Sequence, residues 1–199
     1  MAVPRDLVYA LCHEVGNLLA AQRLQCQLLD DEEAGARISE LAARAGSLLA
    51  LVRPLLETPT VPSAGVEPIE ILDSVRRGLD DPEDRRLRVR LKSAVDLPDV
   101  AVEGETLLHL LLAQLFAAFE DLPEGERLVL FAERRNSAVA FVLEDAGKPR
   151  DRQVDPQLAG RPLSQELARC ILERCGGGFE LDFPAEGNRV ALLVPIVEP

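Results

Sequence analysis

Apolar residues in the first part of the chain recur at the spacing of helices. From Arg5 to about Leu29 they fall three and four residues apart, which predicts a helix with one buried face. From about Ala36 to Glu57 the same spacing continues through nearly three heptads, a pattern typical of helices that pack on one another. The members of the two stripes are Leu7, Leu11, Val15 and Leu18, and then Ile38, Leu41, Ala45, Leu48, Val52 and Leu55. We therefore predict an N-terminal helical hairpin over residues 1–57.

A hairpin with so apolar a stripe cannot bury it alone. Two copies could cover the stripe in a four-helix bundle, or the stripe could pack against the C-terminal half of the same chain. A period of 3.5 residues suits packing of helix on helix better than packing of helix on sheet, so we expect a homodimer. The residues expected at its interface are Leu11, Val15, Leu18, Leu41, Leu48 and Val52.

The remainder of the chain alternates between helical and strand patterns. Residues 58–67 contain prolines and a glycine, which predict a linker. Helices are predicted at Pro68–Leu79, Glu105–Glu120 and Leu163–Cys175, and strands at Leu87–Leu91, Leu128–Arg134, Ala138–Leu143, Phe179–Phe183 and Arg189–Val197. The fold class is therefore α+β. After the hairpin and the linker, residues 68–199 are expected to form an α/β sandwich in which helices cover one face of a mixed sheet.

The net charge and composition of the chain argue against nucleic acid and anionic membranes as binding partners. The net charge is −12 and the pI is near 4.7, whereas proteins that bind nucleic acid or an anionic membrane present a basic surface. The longest apolar run, residues 107–119, is interrupted by polar residues and is too short to cross a bilayer. The N-terminal MAVPRD shows no secretory pattern. We therefore expect a cytoplasmic protein with no nucleic-acid or membrane partner.

The four cysteines and two histidines show no spacing of a metal site. Cys12 and Cys26 lie on one predicted helix, about 21 Å apart at 1.5 Å per residue. A disulfide cannot span that distance. We expect reduced thiols and no metal bound by this chain.

Candidate chemistry lies on the first helix. His13 is two residues from both Leu11 and Val15, so a rotation of about 100° per residue places it away from the buried face. Glu14 follows it directly and Asn17 lies one turn further along. We predict an exposed His-Glu pair in which the carboxylate orients the imidazole or takes its proton. So short a motif also occurs on ordinary helix surfaces.

This order of elements resembles the core of a bacterial sensor histidine kinase over nearly the whole chain. HEVGN at 13–17 is similar to the phospho-acceptor box, and the hairpin corresponds to the dimerisation and histidine phosphotransfer domain. EDAG at 144–147 resembles the start of the D-x-G-x-G motif of the Bergerat-type ATPase domain, with Asp145 where the family's adenine-binding Asp lies. The C-terminal RCGGGFELDF and GNRVALLVPI are similar to the family's ending.

The departures from the family fall on nucleotide binding. Ala118 replaces the Asn that holds Mg²⁺, and Ala has no oxygen to offer a hard cation. Pro149 replaces the second Gly of D-x-G-x-G, and Pro162 replaces a Gly of the phosphate-binding segment. The loop between the two glycine motifs is too short for the usual ATP lid. Three residues remain from the ATP site: Asp145, Gly147 and Gly160.

A kinase scaffold that keeps its acceptor histidine and loses its ATP site resembles a histidine phosphotransferase of the ChpT type. The resemblance implies a phosphoryl relay between response-regulator receiver domains through His13, with Glu14 and Asn17 as catalytic partners. It implies no cofactor in this chain, because the Mg²⁺ belongs to the receiver. His109 lies on a helix that is apolar nearly all round, which predicts a buried core histidine bonded to a neighbour.

Two alternatives stay open. The first is an active sensor histidine kinase core with an unusual ATP site. The second is a non-catalytic pseudokinase that binds a kinase or a response regulator as a scaffold or inhibitor, in which case His13 is an ordinary surface residue. Nucleotide binding distinguishes the first alternative from the relay, and transfer of label from a receiver domain distinguishes the second.

Overall fold

The structure, a computed structural model, describes residues 5–27, 32–56, 65–79, 89–93, 96–122, 126–146, 160–182 and 187–197. The helices in these ranges are α1 (Arg5–Gln27), α2 (Glu32–Ala50), α3 (Val52–Leu56), α4 (Pro68–Gly78), α5 (Gly104–Asp121) and α6 (Gly160–Arg174). The strands are β1 (Val89–Ser93), β2 (Leu128–Arg135), β3 (Ala138–Asp145), β4 (Gly178–Asp182) and β5 (Asn188–Pro195). Within the described residues, no helix is long and apolar enough to span a bilayer.

The second predicted helix is in fact two helices, so the prediction of one continuous helix is wrong. α2 ends at Ala50 and α3 begins at Val52. Pro54 explains the break, because it has no backbone N–H and its ring clashes with the carbonyl group four residues earlier. The backbone N–H of Leu51 instead bonds the carbonyl oxygen of Leu48 at 3.2 Å, as in a tight last turn.

The five strands form one mixed sheet in the order β1-β2-β3-β5-β4. β1 pairs with β2 in parallel, and the other pairs are antiparallel. The β2–β3 hairpin turns at Asn136, whose φ of 52° is tolerated by Asn better than by most residues. The mixed sheet predicted from the strand pattern is confirmed.

Helices cover one face of this sheet. Alternate residues of β2, β3 and β5 join the main core with residues of α4, α5 and α6. The intervening residues form a small separate cluster on the other face: Ala140, Val142 and Ala191, with Phe131 and Leu193 packed against them. α6 ends as predicted at the glycine run, where Gly176 adopts a φ of 78° that an L side chain would strain.

The N-terminal helices share the main core with the rest of the chain. α1 packs on α2, α2 also contacts α5, and α1 also contacts α6. The buried stripe residues Leu11 and Leu48 belong to the same cluster as residues of the helices over the sheet. The stripe is therefore covered within one chain, which is the alternative stated above. The reason given for a homodimer does not hold, and the dimer itself stays a prediction.

Polar contacts also hold α3 to the C-terminal part. The guanidinium of Arg174 on α6 donates hydrogen bonds to the carbonyl oxygens of Pro54, at 3.2 Å, and Leu55. Arg53 forms an ion pair with Glu103 at 3.6 Å. Much of the predicted linker, residues 58–64, lies outside the described residues. Val66 near its end forms a β-bridge with Val100.

Candidate functional site

His13 is exposed on α1, as the phase of the helix predicted. Its ring lies between two side chains of the same helix face, one turn before and one turn after it. The amide nitrogen of Asn17 lies 3.1 Å from Nδ1 of the imidazole. The ring of Tyr9, which is 74% exposed, lies 6.3 Å from the imidazole between centroids and is tilted by 31°. The His13 side chain is exposed, and among the described residues no group bonds its Nε2.

Glu14 does not form the exposed pair with His13 that the sequence predicted. It is only 7% exposed, and its Oε1 accepts a hydrogen bond from Nη2 of Arg44 at 2.7 Å. Arg44 is buried as well, so a charged pair joins α1 to α2 inside the protein. The reason is helical phase. Glu14 is three residues after Leu11 and four before Leu18, which places it on the buried stripe.

Two neighbours of His13 were missed from the sequence, although a signal for each was present. Arg44 follows Leu41 by three residues and precedes Leu48 by four, so it belongs to the packing face of α2. A buried Glu on α1 requires a cation there. Tyr9 is four residues before His13, the spacing at which helical side chains meet.

Asp145, which the sequence predicted to lie in the remnant of an ATP site, contacts the neighbouring strand. Asp145 is buried at the end of β3, and its Oδ1 accepts a hydrogen bond from Nδ2 of Asn188 at 2.8 Å. Gly187 comes so close that a Cβ there would lie 2.0 Å from the carbonyl oxygen of Asp145. Asn188 therefore occupies part of the polar surface of Asp145, a contact between strands that the sequence alone does not reveal.

Two further positions of the predicted ATP site, the departure Ala118 and the retained Gly160, lie on helices. Ala118 is buried on α5 and Gly160 is the first residue of α6. The buried Gln114 joins these two helices by donating a hydrogen bond to the carbonyl oxygen of Ser164 at 2.7 Å. Gly147 and Pro149 lie outside the described residues.

His109 differs from the prediction of a core histidine bonded to a neighbour. It is half-buried on α5, and its Nδ1 is buried without a hydrogen-bond partner in the described part of the chain. Burial lowers the pKa of His109, and the nearby charge of Glu105 opposes that effect. The imidazole is therefore biased toward its neutral form.

Comparison with solved structures identifies proteins that have a similar fold. No protein-family model and no curated protein matches the chain. The Acinetobacter baumannii histidine kinase AdeS is 14% identical with a TM-score of 0.64, over 94% of this chain and 98% of that one. A bacterial phosphotransferase is 16% identical with a TM-score of 0.50, over 94% and 93%. The catalytic domain of the histidine kinase ThkA is 14% identical with a TM-score of 0.56, over 67% and 95%. The predicted histidine-kinase-like fold is confirmed, and the chain has the fold that these histidine kinases and this phosphotransferase share.

Proposed function

We propose that this chain is a histidine phosphotransferase that relays a phosphoryl group between response-regulator receiver domains through His13, without binding ATP. The observation that carries the proposal is the imidazole of His13. It is exposed and held at Nδ1, and it stands on a helix whose opposite face is fixed in the core. A phosphotransferase among the similar structures adds support.

The chemistry needs little from this chain. The lone pair of Nε2 attacks the phosphorus of a receiver's aspartyl phosphate, the Nε2–P bond forms, and the acyl-phosphate O–P bond breaks to release the carboxylate. The same steps in reverse charge a second receiver. Catalysis of such a transfer is mostly positioning and charge stabilisation. In this proposal the Mg²⁺ is the receiver's, and this chain contributes no metal or cofactor.

Two features support the absence of ATP chemistry. Ala118 supplies no metal ligand, and the carboxylate of Asp145 already accepts a hydrogen bond from Asn188. A kinase must also bring its nucleotide into contact with the histidine. The core shared by α1, α2, α5 and α6, together with the bonds of Arg174 to the end of α3, opposes movement between the two parts.

A specific observation favours an active kinase as the second candidate. AdeS has the higher TM-score, 0.64 against 0.50, at similar coverage of both chains. Calorimetric titration with Mg²⁺–ATP distinguishes the two candidates. Micromolar binding, or labelling of the protein from γ-labelled ATP, would favour the kinase.

We also propose that the protein is a homodimer. Its interface differs from the one expected from the sequence, because that stripe is buried within the chain. Among the described side chains of the N-terminal helices, three leucines are about half exposed or more: Leu19, Leu49 and Leu56. On α2 and α3 the exposed residues repeat at spacings of four and three: Ala42, Gly46, Leu49, Arg53 and Leu56. This second heptad stripe lies away from the core, and small residues on it permit close approach of another helix. A second copy of the chain covers it in this proposal.

The decisive test is label transfer from a phosphorylated receiver domain to wild type, His13→Ala and His109→Ala. We expect His13→Ala to accept no label and to keep its stability within about 0.5 kcal/mol, because an exposed side chain contributes little. His109→Ala should accept label wherever it folds. Label on the His13→Ala protein, or none on wild type with every receiver tried, would contradict the relay.

A further inference from the structure

The side chain that bonds His13 is Asn17, and no carboxylate does so among the described residues. The amide of Asn17 lies 3.1 Å from Nδ1, whereas the carboxylate of Glu14 is turned inward to Arg44 at 2.7 Å. Tyr9 flanks the ring on the side away from Asn17. Nδ1 therefore has a bonded partner, whereas Nε2 has none among the described residues of this exposed side chain.

A histidine that carries a phosphoryl group makes opposite demands on Nδ1 before and after transfer. Before transfer Nε2 must hold a lone pair, so in the neutral ring the proton lies on Nδ1, which then needs a hydrogen-bond acceptor. After transfer Nε2 is bonded to phosphorus, the Nδ1 proton passes to water, and Nδ1 holds a lone pair that needs a donor. A carboxylate can only accept, and so it serves only the first state.

An amide serves both states, because a half-turn exchanges its oxygen for its nitrogen. We infer that Asn17 is a positioning residue that bonds Nδ1 in both states of His13. Its oxygen accepts from Nδ1–H while Nε2 is the nucleophile, and its nitrogen donates to Nδ1 in the phosphohistidine. The structure has the amide in the donating orientation. The inference rests on the proposed function for its use in a relay, although its test does not require a receiver.

The test uses the full chain and phosphoramidate, a small donor that transfers its phosphoryl group to Nε2 and releases ammonia. The variants are Asn17→Asp, Asn17→Ala and Asn17→Gln. Cys12→Ser is the matched control, because Cys12 is exposed next to His13 but takes no part in this bond. Two quantities are measured: the rate at which phosphohistidine is lost, and the ring tautomer from ¹⁵N NMR of histidine-labelled protein. His13→Ala assigns which of the two histidines gives each signal.

We expect phosphohistidine to persist longest in wild type and Cys12→Ser. Asn17→Ala should lose it about fivefold faster, the equivalent of one neutral hydrogen bond. Asn17→Asp should lose it faster still, because its carboxylate draws a proton back onto Nδ1. Asn17→Gln, which keeps an amide, should recover part of the lifetime. In the unphosphorylated protein at a pH where the ring is neutral, Asn17→Asp should raise the fraction protonated at Nδ1.

Three results would overturn the inference. One is equal lifetimes in wild type, Asn17→Ala and Asn17→Asp. Another is a tautomer ratio that Asn17→Asp leaves unchanged. The third is failure of phosphoramidate to label His13, since an open Nε2 should accept it. If the lifetimes and tautomers behave as expected but no receiver exchanges phosphoryl groups with the protein, the relay fails and the role of Asn17 stands.

Discussion

His13 and Asp145 both lie in segments that resemble histidine-kinase motifs, but their polar atoms have different surroundings. His13 is exposed, and its one bonded nitrogen faces an amide of the same helix. Asp145 is buried, and its Oδ1 accepts a hydrogen bond from Asn188 on the neighbouring strand. One motif-like residue is therefore exposed on a helix surface, whereas the carboxylate oxygen of the other bonds a neighbouring strand. The residue type alone does not distinguish an exposed reactive group from a buried structural one, whereas its burial and hydrogen bonds do.

The exposure of His13 depends on how firmly the opposite face of α1 is held. That face combines apolar contacts with one buried ion pair between Glu14 and Arg44. If this account is right, changes on the buried face should affect folding, changes near Asp145 should affect the sheet, and neither should act on the imidazole directly.

Alanine substitutions of Leu48 and Leu49 should give the largest difference in the free energy of unfolding. Leu48 is 4% exposed and Leu49 is 52% exposed, although they are adjacent. Leu48→Ala should lower the free energy of unfolding by about 2–5 kcal/mol through lost burial and a cavity. Leu49→Ala should change it little and instead weaken self-association. Urea denaturation and light scattering measure the two effects, and similar losses of stability in both variants would contradict the buried and exposed faces described here.

Glu14→Ala should lower the free energy of unfolding by about 3 kcal/mol, because the guanidinium of Arg44 would stay buried without this carboxylate. Asp73→Ala is the matched control, since it removes an exposed partner of Arg76 at 3.3 Å on α4. That change should cost less than about 1 kcal/mol. Chemical denaturation of both variants makes the comparison, and equal costs would show that the ion pair does not hold α1 to α2.

Asp145→Ala should destabilise the protein by about 1–3 kcal/mol, because the buried amide of Asn188 loses its hydrogen bond to this carboxylate. Asp145→Asn keeps an acceptor oxygen and should recover most of the loss. Neither variant should change the rate of label transfer from a receiver when measured where both are folded. A folded Asp145→Ala protein that no longer transfers would indicate that Asp145 serves a ligand after all.

His109 should give the smallest effect, visible as a dependence on pH. Burial lowers its pKa in the folded state, so above about pH 6.5, the ordinary value, both states are neutral and its contribution to stability is complete. As the pH falls below that value the unfolded state takes up the proton first, and the free energy of unfolding decreases. His109→Gln should remove this part of the slope. An unchanged slope between pH 7 and pH 5 would show that His109 does not titrate differently on folding.

The spacing of apolar residues predicted most helices and their buried faces. The errors in these predictions also concern neighbouring residues on one helix. The phase of α1 placed His13 in solvent and its leucines in the core. The same phase places Glu14 on the buried stripe, and the error came from treating its neighbour in sequence as its neighbour in space. Pro54 likewise signals the break between α2 and α3, because a helix interior does not tolerate a residue without an N–H.

Other features depend on contacts between distant residues, which no local pattern specifies. Asp145 and Asn188 are 43 positions apart and meet only through the β3–β5 register. The stripe on α2 predicted packing against an apolar surface, but either a second chain or α5 could supply that surface. The apolar stripe of α2 has the same sequence whether a second chain or α5 covers it, so its periodicity could not distinguish a dimer from packing within one chain.

The hydrogen bonds from Arg174 to the last turn of α3 affect how the protein unfolds. A helix of five residues is too short to persist by itself in water, and here its end is closed by a side chain from α6. Local opening of α3 therefore exposes the guanidinium of α6 and the shared core together. Because the helix that bears His13 and the sheet also pack into one core, we expect them to unfold as one cooperative unit, so that the surface around His13 is lost when the distant strands separate.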